Sequence, residues 1–439
     1  MDRPKLSILM VSDFFYPNTG GVENHIYQLS QCLLSRGHHV VVLTHSRGTP
    51  PGTRYLTNGL KVIYLPRRPF VLENTLPTFF GLYPALHRIL ATERVGVLHA
   101  HQAFSTMAHE AVMAARCAGC ATVFTDHSLF GFADLGSIAL NKAMKHSLAD
   151  VSAAICVSHT SKENTVLRAC LPPSLVSVIP NAVDAALYTP DLGQRQPGRI
   201  TVVALSRMVY RKGIDLLAGI LPRFLARHPK VDFIIGGDGP KLPGLRRAVS
   251  EAGLGPRVEF LGHVKPEAVR SVLVRGHLFL NCSLTEAFCM AIVEAAAAGL
   301  LVVSTRVGGV PEVLPSDILL LAEPSCDGIL EALETALVTL PTIDPWRQHQ
   351  AVREMYSWRS VTQRTEDVYY RAVQHPDRGG GMLGTLRRCR QCGVWYGLIC
   401  CAIRALGFLL WTILDLLQPP SRVCCSPRFP NALREGLAC

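Results

Sequence analysis

Residues 6–44 read LSILMVSDFFYPNTGGVENHIYQLSQCLLSRGHHVVVLT. The apolar runs at residues 8–11 and 40–44 predict two buried strands, since neither run alternates with polar side chains. Between them, the amphipathic segment at residues 22–36 predicts a helix, and Gly37 behind it is a typical C-cap residue. A strand, a helix and a second apolar strand in succession are typical of a parallel sheet covered by helices on both faces. This stretch therefore predicts an α/β fold.

The same alternation continues along the chain and restarts after a polar stretch with proline and glycine at residues 185–199. Further strand-like runs lie at residues 95–99, 122–125, 154–157, 200–205, 232–236, 258–261, 278–281 and 301–304. A length of 439 residues favours two or three domains, at about 150 residues each. We therefore predict two Rossmann-like domains, residues 1–190 and 191–374, that face each other across a cleft, with a charged helix at residues 346–373 closing the second.

Residues 375–439 differ in composition from the rest of the chain. Residues 394–418 are mostly apolar, and about 20 such residues suffice to cross a membrane. Arg404 and Asp415 are costly inside a bilayer, so a buried hairpin or an interfacial helix is the alternative. Three arginines precede the stretch closely and favour a cytosolic body: Arg387, Arg388 and Arg390. We predict a basic linker, one transmembrane helix at about residues 394–418, and a short tail.

Composition narrows the classes of partner. Hydrophobic residues make up 49% and charged residues 18%, a balance that excludes an intrinsically disordered chain. The net charge is +11, and residues 375–439 hold eight of the Lys and Arg residues against three Asp and Glu. Because nearly half of the surplus lies beside the predicted membrane segment, no nucleic acid partner is expected. Seven of the 15 cysteines lie beyond residue 388, and the scattered remainder is typical of reduced thiols in a cytosolic body.

Two motifs at strand-to-helix turns are candidates for phosphate binding. Gly20 and Gly21 precede the first predicted helix, where backbone N–H groups and the helix dipole attract anions; a simple turn is the alternative. Residues 206–213, SRMVYRKG, place Arg207 and Lys212 after a predicted strand, where two cations suit a diphosphate; a solvated basic turn is the alternative. No Gly-x-Gly-x-x-Gly follows any strand, which disfavours a nicotinamide-dependent oxidoreductase.

A pair of acidic residues forms the third candidate. Glu286 and Glu294 lie at the entrance of a predicted helix and about two turns along it, so both can reach one extended ligand. Helix-dipole compensation and a surface charge are the alternative roles. Glu294 interrupts the small apolar run at residues 291–298, and a carboxylate in such a run requires a polar partner.

Together these motifs resemble the large GT-B group of retaining glycosyltransferases. Residues 206–213 match its Ser-Arg…Lys-Gly element, Glu286 and Glu294 match its glutamates with seven residues between, and residues 180–184, PNAVD, match its Asn-Gly-Val-Asp segment with Ala182 in place of glycine. Four segments are similar to the family of catalytic subunits of phosphatidylinositol N-acetylglucosaminyltransferase, namely residues 125–134, 161–168, 209–215 and 285–295. The resemblance covers residues 8–373, whereas the cysteine-rich residues 421–439 are unlike the family.

The resemblance implies an enzyme that transfers N-acetylglucosamine from UDP-N-acetylglucosamine to phosphatidylinositol, the first step of GPI-anchor biosynthesis. It also implies other membrane subunits and a single-pass protein of the endoplasmic reticulum with a cytosolic body. Arg207 and Lys212 would hold the diphosphate, Glu294 the ribose and Glu286 the sugar hydroxyls. His127 would face the donor sugar and the acceptor. Backbone N–H groups would assist near Gly20, Gly21, Cys289 and Met290.

Two expectations complete the prediction. No Asp-x-Asp occurs in the chain and the two cations can stabilise the leaving group, so neither a metal nor another cofactor is expected. The alternatives are a related lipid glycosyltransferase with another UDP-sugar or acceptor, and a non-catalytic GT-B-like subunit. The presence of Arg207, Lys212, Glu286 and Glu294 together favours an enzyme over the non-catalytic subunit.

Overall fold

The computed structural model describes residues 3–48, 50–71, 73–129, 135–376 and 380–425. The predicted segments 125–134 and 421–439 therefore lie partly outside the described residues. The chain divides into two compact units. The first comprises Met1–Pro180 and Trp358–Cys439, and the second comprises Asn181–Ser357.

Parallel sheets form the centre of both units. The strands of the first unit are β1 (Ser7–Val11), β2 (His39–His45), β3 (Gly52–Tyr55), β4 (Lys61–Leu65), β5 (Pro69–Val71), β6 (Asn74–Thr75), β7 (Val97–His101), β8 (Ala121–Asp126), β9 (Ala153–Cys156) and β10 (Val176–Val178). Those of the second are β11 (Ile200–Leu205), β12 (Val231–Gly236), β13 (Val258–Gly262), β14 (Leu278–Asn281), β15 (Leu301–Thr305) and β16 (Leu319–Ala322). The main orders are β10-β9-β8-β7-β1-β2-β4-β3 and β13-β12-β11-β14-β15-β16. In these two described sheets, only β3, at an edge, runs antiparallel to its neighbour.

Helices connect most of these strands. They are α1 (Gly21–Ser35), α2 (Tyr83–Thr92), α3 (Thr106–Cys117), α4 (Leu135–Leu148), α5 (His159–Ala169), α6 (Ile214–Arg227), α7 (Leu242–Glu251), α8 (Val269–Leu273), α9 (Met290–Ala297), α10 (Cys326–Thr339), α11 (Pro345–Met355), α12 (Trp358–Gln374), α13 (Gly381–Arg390) and α14 (Val394–Leu417). Side-chain caps fix several starts: the Ser105 hydroxyl accepts from Ala108 N–H at α3, and Asp344 accepts from Trp346 N–H at α11. The predicted α/β class with a GT-B-like parallel-sheet fold is confirmed.

Central strands explain the uninterrupted apolar runs in the sequence. Every residue of β7 and β15 is buried, because helices cover both faces of a parallel sheet. In each sheet the strand order reverses direction at one strand. This strand is β1 in the first unit, between β2 and β7, and β11 in the second, between β12 and β14. Ligands of such sheets bind outside the carboxyl ends of the strands at this switch point.

The predicted closing helix is divided in the structure. Residues 346–373 fall on α11 and α12, with a break at Tyr356 and Ser357, and α12 packs in the first unit. Its Tyr369 hydroxyl lies 2.7 Å from His99 Nδ1 on β7, and Glu366 accepts from Arg36 at the end of α1. The observed units therefore change at residues 180/181 and 357/358 rather than at the predicted 190 and 374.

The end of the chain contributes α13 and α14 to the first unit. Asp150, fully buried after α4, accepts hydrogen bonds from Arg116, Thr385 and Arg388. α14 is, within the described ranges, the one helix long and apolar enough to cross a membrane, as the sequence predicts. Every cysteine in the described part of the chain is a free thiol.

Candidate active site

Two loops at the carboxyl end of the second sheet are packed against each other. The turn Tyr210–Lys212 ends at Gly213, whose φ is +67°. A Cβ atom at Gly213 would lie 1.8 Å from the carbonyl oxygen of Cys282, so only glycine allows this approach. The Leu284 N–H donates to the Arg211 carbonyl at 2.8 Å. The loop that follows β14 therefore fixes the position of Lys212.

Lys212 and Glu286 form an ion pair in this position. The Ser283 hydroxyl lies 2.7 Å from Glu286 Oε1 and 2.8 Å from Asn281 Oδ1. The side chains of Lys212 and Glu286 are 22% and 13% exposed, so both charges are largely screened from water and remain reachable. The structure thus joins two of the predicted site residues directly.

Arg207 and Glu294 line one cavity of about 270 Å³. Its walls also include the glycine-rich loop after β12. A Cβ atom at Gly237, where φ is +133°, would lie 1.8 Å from the Ser206 carbonyl oxygen, so this loop packs against the residues that follow β11. The Met208 N–H also donates to the Asp238 carbonyl at 2.8 Å, which joins the loop after β11 to the loop after β12.

Glu294 has a partner that the sequence did not indicate. Burial raises the pKa of Glu294, and a hydrogen bond with Tyr188 opposes that shift. Tyr188 ends the 3-10 turn Ala185–Tyr188, inside the stretch that the sequence predicts as a linker. No local motif connects these two residues, which are far apart in the chain.

Cys289 and Met290 occupy the start of α9. Cys289 takes the left-handed conformation with φ +71° as the N-cap, and Met290 is the first helical residue. Burial raises the pKa of the Cys289 thiol to about 12, and Glu286, Lys212 and Glu294 all interact electrostatically with it. The start of α9 therefore lies next to the ion pair and to the cavity carboxylate, and its free N–H groups suit an anion.

The remaining predicted residues belong to the first unit. Gly20 is the N-cap and Gly21 the first residue of α1, directly behind the loop that follows β1. His127 follows β8, and His101 ends β7. Like Arg207 and Glu286 in the second unit, these residues lie at the carboxyl end of a parallel sheet beside its switch point.

His127 is part of a histidine cluster. Its Nε2 lies 3.3 Å from His101 Nδ1, and its ring centroid is 4.8 Å from that of His25 on α1. The ligand atoms of these three histidines lie within 4.8 Å of one another, and in the described residues they are the one such group close enough to hold a metal ion. Burial, with the neighbouring His25 and His99, lowers the pKa of His127 well below its usual value. The side chain is therefore a neutral imidazole.

Asp126 does not orient His127 in this structure. Its Oδ1 accepts from Ser128 N–H at 3.0 Å and its Oδ2 accepts from the Thr165 hydroxyl at 2.9 Å. Burial raises the pKa of Asp126 to about 6, against these hydrogen bonds and the charge of Arg168. Asp126 therefore caps the turn that follows β8.

The histidine cluster predicts acid sensitivity of folding. Burial lowers the pKa of His25 from 6.5 to about 4, so the unfolded chain gains this proton first as the pH falls through that window. Stability is then lost on acidification, by about 3 kcal/mol for His25 alone once the pH is below both values. Asp126 acts in the opposite direction, because a raised carboxyl pKa gives stability that is lost as the pH rises through about 6. The pKa values of His99, His101 and His127 are also lowered by burial, so these residues act in the same direction as His25.

Thermal unfolding of the full chain in detergent, followed by circular dichroism between neutral and mildly acidic pH, measures this loss. His25→Gln should reduce the slope of stability against pH, whereas His375→Gln, at an exposed position, should leave it unchanged. Equal slopes for the wild type and His25→Gln would contradict the assignment.

Comparison with known families gives two matches that follow the two units. The family described as PIGA (GPI anchor biosynthesis) matches residues 45–134, and the family described as glycosyl transferases group 1 matches residues 199–339. The second match contains Arg207, Lys212, Glu286 and Glu294. The second unit therefore carries a glycosyltransferase group 1 domain.

Solved structures with the same fold are glycosyltransferases of low sequence identity. Sucrose-phosphate synthase of Thermosynechococcus elongatus superposes with a TM-score of 0.68 at 19% identity, over 83% of this chain and 98% of that chain. Anabaena HepE in complex with UDP gives a TM-score of 0.65 at 17% identity, over 83% of this chain and 100% of that chain. These similarities show the fold.

Curated relatives extend over nearly the whole chain. An Arabidopsis thaliana protein named as a phosphatidylinositol N-acetylglucosaminyltransferase subunit is 56% identical over 95% of this chain and 93% of its own length. The human protein of the same name is 51% identical over 94% of this chain and 86% of its own length. Both names describe one component of a multi-subunit enzyme. The chain belongs to the PIGA family of phosphatidylinositol N-acetylglucosaminyltransferase subunits, as its motifs predict.

Proposed function

We propose that this chain is the catalytic subunit that transfers N-acetylglucosamine from UDP-N-acetylglucosamine to phosphatidylinositol with retention at the anomeric carbon, releasing UDP. The observation that carries the proposal is the grouping of Lys212, Glu286 and Glu294 around the start of α9, with Arg207 and Glu294 lining one cavity, in a chain 56% identical to a relative of that name. A nucleotide sugar offers a diphosphate to the cations and hydroxyl groups to the carboxylates, so the ligand chemistry matches the site.

The two cations act on the leaving group. Negative charge grows on the diphosphate as the glycosidic bond breaks, and fixed positive groups lower that barrier. Arg207 supplies a bidentate donor at the cavity and Lys212 a point charge. N–H groups of Cys289 and Met290 at the start of α9 add backbone donors. Because Lys212 already pairs with Glu286, the lysine is held in place before the donor binds.

The two carboxylates act on the hydroxyl groups. Glu294, beside the cavity, accepts from the ribose, and Glu286 accepts from the sugar. The hydrogen bond with Tyr188 orients Glu294 and limits the cost of its burial. A ligand hydroxyl that replaces lost water at Glu294 lowers this cost further, which favours binding of the nucleoside.

Residues of the first unit act on the acceptor side. His127 faces the donor sugar and the inositol hydroxyl, and its neutral imidazole can accept or donate a hydrogen bond there. The start of α1, with Gly20 and Gly21, offers N–H groups to the diphosphate. The protein works at the cytosolic side of the endoplasmic reticulum membrane, attached through its carboxy-terminal helix and bound to other membrane subunits.

Transfer of labelled sugar from UDP-N-acetylglucosamine in membranes that contain the assembled complex tests the proposal. The product should be a glycolipid that phosphatidylinositol-specific lipase cleaves. Labelled product from another UDP-sugar, or a lipid that resists this lipase, would identify a related lipid glycosyltransferase. Full activity in membranes that lack this chain would identify a non-catalytic component.

We expect this transfer to need no divalent metal. Arg207 and Lys212 can neutralise the diphosphate themselves, so EDTA should change the initial rate by less than about twofold, whereas removing one cation, as in Lys212→Ala, should lower it by about 100-fold. Loss of activity with EDTA that Mg²⁺ or Mn²⁺ restores would contradict this expectation.

A further inference from the structure

Three elements of the first unit bring His25, His101 and His127 together. His25 lies on α1, His101 is the last residue of β7, and His127 follows β8. Because β1 lies next to β7 and β7 lies next to β8, the segments that follow these strands meet at one edge of the sheet. A ligand that needs several side chains can be held at this edge without any local sequence motif.

The spacing of these rings suits one metal ion. Their ligand atoms lie within 4.8 Å of one another, and His127 Nε2 lies 3.3 Å from His101 Nδ1. Two imidazole nitrogens that bind one tetrahedral zinc ion, each at about 2.0 Å, lie about 3.3 Å apart. His101 and His127 therefore have the separation of two zinc ligands, and His25 offers a third at a distance that ring rotation can close.

Two of the three rings have a buried nitrogen without a partner. His25 is 8% exposed and His101 is fully buried, and among the described residues His25 Nδ1 and His101 Nε2 have no hydrogen-bond partner. The neighbouring His99 differs, because its two nitrogens lie 2.7 Å from the Tyr369 hydroxyl and 2.6 Å from the Thr125 hydroxyl. Since buried nitrogens normally have partners, the unsatisfied pair indicates a ligand that the chain itself does not supply.

Neighbouring residues hold the rings in place and leave one side open. His101 packs on His99 with ring centroids 3.9 Å apart, and the Trp358 ring lies 5.5 Å from that of His25. His127 is only partly buried, so water can approach as a fourth ligand from its side. Three imidazoles with an open position suit zinc and the similar ions of cobalt, nickel and copper, whereas Mg²⁺ and Ca²⁺ prefer oxygen ligands.

We propose that His25, His101 and His127 bind one zinc ion, or a chemically similar divalent ion, and that the bound ion inhibits sugar transfer. The binding site rests on contacts within the first unit alone. The inhibition rests on the proposed function, in which His127 faces the donor sugar and the inositol hydroxyl, because a ring held by zinc is no longer free to contact the substrates. The ion is then a regulator of the reaction and not its cofactor.

Titration of the purified full chain with Co²⁺ in detergent tests the site. Cobalt binds the same ligands as zinc and absorbs visible light strongly in tetrahedral geometry, so the wild type should give a visible band that added zinc removes. His25→Gln should weaken cobalt binding by at least about tenfold, since losing even an indirect partner of a metal costs this much. His375→Gln, at an exposed position, should bind as the wild type does. No visible band in the wild type, or equal binding by His25→Gln, would overturn the proposal.

His25→Cys distinguishes a lost ligand from a damaged fold. A thiolate also binds cobalt and zinc, so this variant should regain the tight binding that His25→Gln loses. It should also add a sulfur-to-cobalt charge-transfer band in the near ultraviolet beyond the wild-type absorption. Cysteine fills less volume than histidine or glutamine, so better packing cannot explain this recovery. If neither the binding nor the new band appears, residue 25 does not contact the ion and the proposal is wrong.

Initial rates in membranes that contain the assembled complex test the inhibition. Zinc at a concentration that saturates the site should remove most of the wild-type activity, and EDTA should restore it. His25→Gln, compared with its own rate in zinc-free buffer, should lose less activity at the same zinc concentration, and Mg²⁺ should inhibit neither protein. Full activity of the zinc-loaded wild type would overturn the inhibitory role. A failure of the proposed sugar transfer itself would appear already in zinc-free buffer.

Discussion

Glu286→Gln in the assembled complex should lower sugar transfer by at least about 100-fold while leaving assembly intact. Glutamine keeps the shape of the side chain but removes the charge that pairs with Lys212 and lies 2.7 Å from the Ser283 hydroxyl. The lysine then loses its fixed partner, and the sugar hydroxyls lose a charged acceptor. Charge-assisted contacts that strengthen in the transition state are worth this much in rate. Initial rates with labelled UDP-N-acetylglucosamine measure the effect.

The matched control is Glu331→Gln, which makes the same chemical change at an exposed position of the second unit. It should transfer sugar at the wild-type rate. Co-purification of the other subunits with both variants reports assembly. Wild-type activity of Glu286→Gln would remove the acidic pair from the proposed site and favour a non-catalytic role for the chain.

Gly213→Ala should both destabilise the second unit and abolish transfer. The added Cβ atom would lie 1.8 Å from the Cys282 carbonyl oxygen. Because this oxygen belongs to the backbone, the backbone at residue 213 or at Cys282 must move. Overpacking of this kind costs about 3 kcal/mol or more. The displaced loop would carry Lys212 away from Glu286. The unfolding midpoint in urea and the initial rate of transfer measure the two effects.

Gly253→Ala separates backbone strain from steric overlap. Its φ of +66° almost equals the +67° at Gly213, but a Cβ atom there meets nothing within 4 Å. This variant should lose only about 1 kcal/mol, the cost of a left-handed alanine, and should stay active. Equal stability loss in the two variants would show that the close approach of Gly213 to Cys282 contributes nothing.

Buried strands were predictable from the sequence because helices cover both faces of each sheet. The runs at residues 200–205 and 278–281 agree with β11 and β14 to the residue. Strand β3 was not predicted, because it lies at the sheet edge and is mostly exposed, without a continuous apolar run. Strand β4, between β2 and β3, was also missed, because its residues alternate between buried and partly exposed positions. The assignment of α12 to the second domain failed because nothing local in its charged sequence says which sheet it covers.

The candidate site was predictable where its residues follow a strand directly. Arg207 lies two residues after β11, while Lys212 and Glu286 lie further along the loops after β11 and β14, and the roles expected of all three came from the resemblance. Tyr188 was not predictable, because a stretch that looks like a linker supplies it to a carboxylate far along the chain. The neighbours of His127 were equally hidden: His25 and His101 belong to other elements, and only the order of β1, β7 and β8 in the sheet brings them together.

The discontinuity of the first unit has a consequence during translation. The ribosome has made all of the second unit, residues 181–357, before it makes α12. At that stage the sheet formed by residues 7–178 still lacks α12, α13 and α14, which belong to the same unit. Until Glu366 and Tyr369 emerge, His38 and His99 lack the partners that they have in the finished protein. The amino-terminal half of the nascent chain therefore passes through an unfinished stage, in which apolar surface that α12 and α14 later cover is exposed to water.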